Sequence, residues 1–291
     1  TLPGQSDGPE LDDTEPCDLL DNDCDGRVDE SCRLTLAPND AIDDIEVCAD
    51  HLYIIQGPGI MKVSLSDPMS AAMPEMFHEG AERIREFRCG TGGYAWLESD
   101  TCIDDVNGPS RCTGVLWVRE TGGEPRAATA LGSYGGLLID DDSVYFHSLV
   151  EEISYINRLS LAGGAPEVII EGASDATKPD PNGRMAVRSW EDDTRARVKL
   201  YSISDPGVET LISNPITGAN RPMANTRWVA WITGDDLNQV WVVPVDDLLH
   251  GGFLAVRVGS PLAAVQLVEN SLFFIDTGTD TLERFHLDTG Q

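Results

Sequence analysis

The chain has 291 residues, 50 of them Asp or Glu and only 20 Lys or Arg, for a formal charge of −30. A surface that acidic repels nucleic acid and anionic membrane and attracts divalent cations. No run of eighteen apolar residues exists, so no transmembrane segment is predicted.

The chain starts at Thr1 rather than Met, consistent with a removed export signal or an incomplete chain. Residues Thr1 to Pro16 are Pro- and Asp-rich. Sixteen extended residues reach roughly 50 Å, far enough to lie on a neighbouring molecule. Next comes Asp21-Asn22-Asp23-Cys24-Asp25-Gly26-Arg27-Val28-Asp29-Glu30, with five carboxylates around one glycine. Asp21, Asp23 and Asp25 fall at positions 1, 3 and 5 of a calcium loop, with Gly26 at the sharp turn. Arg27 offers its carbonyl from position 7 and Asp29 stands at 9. Position 12 is Cys32 instead of the usual bidentate Glu, so Glu30 or a group elsewhere must complete the shell. Without a cation the carboxylates repel by about 0.8 kcal/mol per pair at ~5 Å in water, a cost that Ca2+ removes.

The stretch from Glu15 to Cys32, E-P-C-D-L-L-D-N-D-C-D-G-R-V-D-E-S-C, resembles the metal-binding motif of MopE-like bacterial surface proteins. The resemblance covers about eighteen residues. It implies calcium in a short aspartate-rich loop and an extracellular or bacterial cell-surface setting, and nothing about the remaining chain.

Seven cysteines, none in Cys-x-x-Cys, argue against a zinc ribbon and for disulfides in an oxidising compartment. Cys102 and Cys112 bracket the turn signal Asn107-Gly108-Pro109 and are expected to staple a long hairpin. Cys48 and Cys89 occupy matching places in two successive repeats and are expected to bridge them. Cys17, Cys24 and Cys32 remain around the metal loop; three is odd, so one is free or pairs with another molecule.

From residue 40 onward the chain is repetitive. Six short apolar strands begin at Leu52, Tyr94, Val144, Met185, Val229 and Leu272, spaced 42, 50, 41, 44 and 43 residues apart. Each is followed by a polar turn, an alternating strand and an Asp- or Gly-bearing turn. The long spacing coincides with the cysteine-bracketed insertion. Units of 40 to 45 residues with period-2 patterning predict an all-β fold, a six-bladed β-propeller carrying an extended N-terminal calcium-binding arm. Two β-sandwiches are the alternative. Leu161-Ala162-Gly163-Gly164-Ala165-Pro166 resembles the L-D-G-G style of six-bladed propellers, although no Tyr-Trp-Thr-Asp occurs. One short helix is predicted near Pro74 to Arg85.

The last repeat stops after Leu287-Asp288-Thr289-Gly290 without an outer strand, and an open sheet edge is a liability. Arg33-Leu34-Thr35-Leu36-Ala37 is the expected cover. Residues 1–32 then form the arm and 33–291 the propeller, with 33–37 as its closing strand.

Catalytic signals are thin: there is no Gly-x-Ser-x-Gly, His-Glu-x-x-His or Walker loop, and the five histidines are scattered. The tryptophans read as blade packing. Three classes compete: a non-enzymatic structural or adhesive surface protein whose arm joins copies head-to-tail, a propeller binding a carbohydrate or another surface protein, and a propeller hydrolase or lyase. The first accounts together for the arm, the odd cysteine and the missing catalytic motif.

Overall fold

The computed structural model describes residues 42–288, apart from 66–73, 104–110, 152, 191–194, 204–208, 212–215, 218–219, 234–237, 251 and 280. Two compact units divide the chain, Thr1–Ile84 and Arg85–Gln291. Among the described residues the protein is all-β, and the one helical turn is a 3₁₀ segment, Val245–His250.

In the first unit β1 (Asp44–Cys48), β2 (His51–Gln56), β3 (Gly59–Ser64) and β4 (Glu75–Glu79) form an antiparallel sheet in that order. Tyr53, Ile54 and Ile55 bury β2, whereas β1 alternates exposed and half-buried residues. The Asp43 carboxylate accepts the Gly57 N–H at 2.8 Å and pairs with Arg83, tying off the β2–β3 turn. The helix expected near Pro74 to Arg85 does not form. That stretch supplies β4 and the start of β5 (Ile84–Gly90). The helix-forming Glu and Met residues lose to tertiary context: β3 needs an outer partner, and Gly80 turns the chain by donating to the Pro58 carbonyl at 2.8 Å.

The second unit continues with β5, β6 (Gly93–Ile103), β7 (Arg111–Glu120), β8 (Arg126–Ile139), β9 (Ser143–Val150), β10 (Ile153–Ser160) and β11 (Glu167–Glu171) in one seven-stranded sheet. Two meanders share β8 in it. Arg126 to Leu131 pair with β7, Tyr134 faces both neighbours, and the strand runs on against β9 as far as Ile139. A register shift between Gly135 and Leu137, with Gly136 at φ +64°, bends the strand between its partners. Next come β12 (Ala173–Ala176), β13 (Arg184–Trp190), β14 (Arg195–Ser202) and β15 (Glu209–Leu211), with β16 (Ile216–Thr217) also on β14. Then follow β17 (Asn220–Ala224), β18 (Trp228–Thr233), β19 (Gln239–Pro244) and β20 (Phe253–Arg257) in one sheet, and β21 (Leu262–Val268), β22 (Ser271–Asp276) and β23 (Thr281–His286) in the last.

In the second unit the core lies between successive sheets. Val144 and Phe146 of β9 pack with Leu97 and Leu116 of the preceding meander, while Tyr145 packs the other way against Met185 and Val187. Ala186 joins Val229 and Trp231, and Trp228 and Ala230 join Leu272 and Phe274. A strand buried on both faces reads as a continuous apolar run, which is why the second strand of each meander stands out in the sequence. Its third-strand partner repeats a cation opposite an aromatic ring: Tyr53 with Lys62, Tyr94 with Arg119, Tyr145 with Arg158 and Phe273 with Arg284. In the last pair the guanidinium lies 5.7 Å from the ring centroid, a cation–π distance.

Candidate functional site

The expected calcium ligands Asp21, Asp23, Asp25, Arg27, Asp29 and Glu30 lie outside the described residues, as do Cys17, Cys24 and Cys32 and the expected closing strand 33–37. Among the described residues no group of three His, Cys, Asp or Glu side chains is arranged to hold a metal ion. Cys48 and Cys89 form a disulfide. Cys102 and Cys112 are direct register partners on β6 and β7.

What the described residues do bring together is a set of turns joining the first and second strands of successive meanders. Before β13, Asp180 Oδ1 accepts the N–H groups of Asn182 at 2.9 Å and Arg184 at 2.8 Å. Its Oδ2 takes two bonds from the Arg184 guanidinium, at 2.8 and 2.6 Å, and only 4% of the Asp180 side chain is exposed. Before β18, Asn225 Oδ1 accepts the N–H groups of Arg227 and Trp228, both at 2.9 Å, and its amide donates to the Glu269 carbonyl at 2.8 Å. Before β22, Asn270 Oδ1 accepts from Trp228 Nε1 at 3.2 Å while its amide donates to Asp288 at 2.7 Å. Each Asx side chain substitutes for missing backbone partners and fixes its turn. Because β12 packs against β17 and β17 against β21, these three turns adjoin.

They enclose a concave site of about 460 Å³ lined by Lys178, Pro179, Asp180, Asn225, Arg227 and Glu269 among others. Lys178 is exposed and has no ion pair or hydrogen bond among the described residues. Among the described residues the Arg227 guanidinium meets only Asp288, at 3.4 Å, with 58% of its side chain exposed. The local charge is therefore mixed, unlike the −30 of the whole chain. Chemically the arrangement offers two available cations, one exposed carboxylate on Glu269 and apolar proline rings, with no nucleophile–base pair.

A second hollow of about 300 Å³ lies in the second and third meanders, between the turns before their second strands, at Gly92, Asp141 and Asp142, and the turns after their third strands, at Thr121 and Leu161. Thr91 donates to Asp141, and Gly92 is obligatory because a Cβ there would strike the Asp141 carbonyl. Beside it Asp140 accepts the Tyr145 hydroxyl at 2.7 Å and the Ser143 N–H at 2.8 Å. Arg158 Nε donates to Ser143 Oγ at 3.0 Å, and Ser143 Oγ donates in turn to Asp142 at 2.6 Å. The serine bond holds the Asp142 carboxyl below its usual range, against the opposing effect of burial. Burial first, and the bond to Asp140 second, push the Tyr145 phenol well above its usual value. This network rigidifies a turn. Ser260 and the Gly278 N–H likewise hold Asp276 below its usual value in the last meander.

His147 is buried in β9, paired in register with Ile156 and Gly135, inside the sheet stack. Trp96 and Trp231 are fully buried, and Trp96 stacks on Trp117 at 6.2 Å. Lys178, Asn225, Arg227 and Asn270 were not singled out in the sequence. The available signal was an Asp or Asn one to four residues ahead of the apolar strand, as in Asp140-x-x-Ser143, Asp180-x-x-x-Arg184 and Asn225-x-x-Trp228.

No protein-family model and no curated protein matches this chain. Solved structures do. A prolyl endopeptidase superposes with a TM-score of 0.61 at 10% identity, over 86% of this chain and 41% of that one. The β-propeller domain of the Trilobed protease from Pyrococcus furiosus, described as having an open velcro topology, gives 0.59 at 8% identity over 84% and 82%. PorZ, a bacterial surface component of the type-IX secretion system of Porphyromonas gingivalis, gives 0.55 at 11% identity over 87% of this chain and about a third, 34%, of its own. Identities this low speak to architecture alone. The antiparallel meanders have a β-propeller-like fold.

Proposed function

We propose that the chain is a six-bladed β-propeller acting as a non-enzymatic structural or adhesive protein at the bacterial surface, with an arm, residues 1–32, that binds calcium and joins copies head-to-tail. The observation that carries this reading is the last sheet. It has three strands, and β23 has a neighbour on one side only among the described residues, whereas β4, β8, β11, β15 and β20 each follow the corresponding third strand in the other meanders. Leu282 on β23 is 72% exposed. A sheet edge of this kind is a template for strand addition, and residues 33–37 are the alternating segment available to fill it. The Ca2+ ligands in this reading are Asp21, Asp23, Asp25, Asp29, the Arg27 carbonyl and Glu30, at about 2.3 to 2.6 Å from the ion. With 33–37 closing the chain's own last sheet, the arm, residues 1–32, is left to reach a neighbouring copy, a heterologous contact that propagates as a fibre unless the rotation closes a ring. Calcium also offsets repulsion between subunits of charge −30.

Electron microscopy and size measurement with calcium, with chelator, and with and without reductant test the reading. Fibres in calcium that disappear with chelator or on removal of residues 1–32 are the expected result. Uniform monomers under every condition, together with no calcium uptake at millimolar concentration by calorimetry, overturn it.

A further inference from the structure

Apart from the calcium arm, we propose that the hollow between the turns preceding β13, β18 and β22 is a binding site for an acidic sugar, a uronate residue of an oligosaccharide. Three features point to a ligand. The walls are rigid before anything binds, because Asp180, Asn225 and Asn270 are each committed to holding their own or a neighbouring turn. A site fixed in advance spends little binding energy on ordering itself. The two cations are the uncommitted groups. Arg184 is neutralised by the nearly buried Asp180, whereas Lys178 has no partner among the described residues and Arg227 has only the long, exposed contact to Asp288.

In a chain carrying 20 cations against 50 acids, two adjoining cations left available in one 460 Å³ hollow select an anion that the rest of the surface repels. A carboxylate suits them, accepting from the Arg227 guanidinium and the Lys178 ammonium. The remaining lining favours a sugar over a bare acid. The exposed Glu269 carboxylate and the Thr226 hydroxyl accept from hydroxyl groups, and the rings of Pro179 and Pro181 offer an apolar floor for the C–H face of a pyranose. The volume lies within the range of small-ligand sites.

Calorimetric titration of the full chain with a glucuronate disaccharide, the matched neutral glucose disaccharide and an acetylated Glu dipeptide tests this. The uronate is expected to bind at least about tenfold more tightly than the neutral sugar and the peptide. Lys178→Gln and Arg227→Gln are each expected to weaken it by about tenfold, the scale of one charged hydrogen bond. Both residues are exposed, so the fold is not at risk. Arg257→Gln, an exposed cation on β20, changes the net charge equally and should leave binding unaltered. No uronate binding, equal binding of the neutral sugar, equal binding of the peptide, or equal weakening by Arg257→Gln would each overturn the assignment.

Discussion

The third meander and the last share one register and end differently. Ser143, Tyr145 and Arg158 in the third correspond to Ser271, Phe273 and Arg284 in the last, and in both the arginine Nε donates to the serine hydroxyl, at 3.0 and 3.1 Å. Two residues before each arginine the likeness breaks. Ile156 is 2% exposed and Leu282 is 72% exposed. The difference is not in the hairpin, since both third strands pair fully with their second strands. It lies in what comes next: Ile156 packs with Ile170 of β11 and with Met185 and Val187 of the following sheet, and β23 has no fourth strand beside it among the described residues. The same device thus stands in a four-stranded setting in one place and, among the described residues, in a three-stranded one in the other.

The largest effect should come from removing what is proposed to finish the last meander. Deleting residues 1–40 is expected to abolish cooperative unfolding or cause aggregation, while deleting 1–32 leaves the transition intact. Thermal melts and light scattering on both truncations decide this. A chain starting at residue 41 that stays monomeric and equally stable removes segment 33–37 from the account.

Point substitutions sharpen the same contrast. Leu159→Ala, at a fully buried position of β10, is expected to cost about 2–5 kcal/mol in denaturant melts. Leu282→Ala on β23 should cost above about 1 kcal/mol in the full chain if residues 33–37 cover it, against under about 0.5 kcal/mol for a side chain left exposed. A cost in the lower range would leave the closing strand without a role there.

Smaller again is an acid effect shared by the two meanders. Asp142 and Asp276 both sit below the usual carboxylate value of 3.8. A depressed carboxyl contributes stability that is complete above its unfolded value and disappears as pH falls through the folded one. Ser260→Ala removes the main donor to Asp276 and should flatten the loss of stability below about pH 4, with only a small decrease in stability at pH 7.

The sequence made the repeat legible because the second strands are buried on both faces: Val144-Tyr145-Phe146 and Val229-Ala230-Trp231 are apolar throughout. It hid the join at β8, where Gly135-Gly136 resembles any turn and only the pairing of Tyr134 to both neighbours reveals a continuous strand. It misled near Pro74 to Arg85, where helix-forming residues were drafted into β4 by an unfilled edge. The turn hollow was invisible for another reason. Lys178, Arg227 and Glu269 are far apart in sequence and meet only because successive first strands pack together, and Asp or Asn ahead of a strand is too common to attract notice.

The most delicate test uses the one chemical difference between the matched networks, the hydroxyl that Tyr145 has and Phe273 lacks. That phenol donates to Asp140 at 2.7 Å in a buried setting, and both burial and the neighbouring carboxylate resist its ionisation. Its folded pKa is raised above the ordinary value of 10, so the folded state holds the proton longer than the unfolded state. The stabilisation is therefore complete below pH 10 and is lost as pH climbs toward the folded value. One proton corresponds to at most about 1.4 kcal/mol per pH unit, and solvent access reduces it. Tyr145→Phe should cost roughly 1 kcal/mol at pH 7, through the lost bond to Asp140, and should unfold with a shallower alkaline slope than the parent between pH 10 and 11. Phe273→Tyr places a hydroxyl at the matching position, where no Asp140 counterpart exists because Val268 stands there, and should leave the alkaline slope at the parent value. Parallel alkaline slopes for the parent and Tyr145→Phe would show that the proton held by the third meander does not couple to folding.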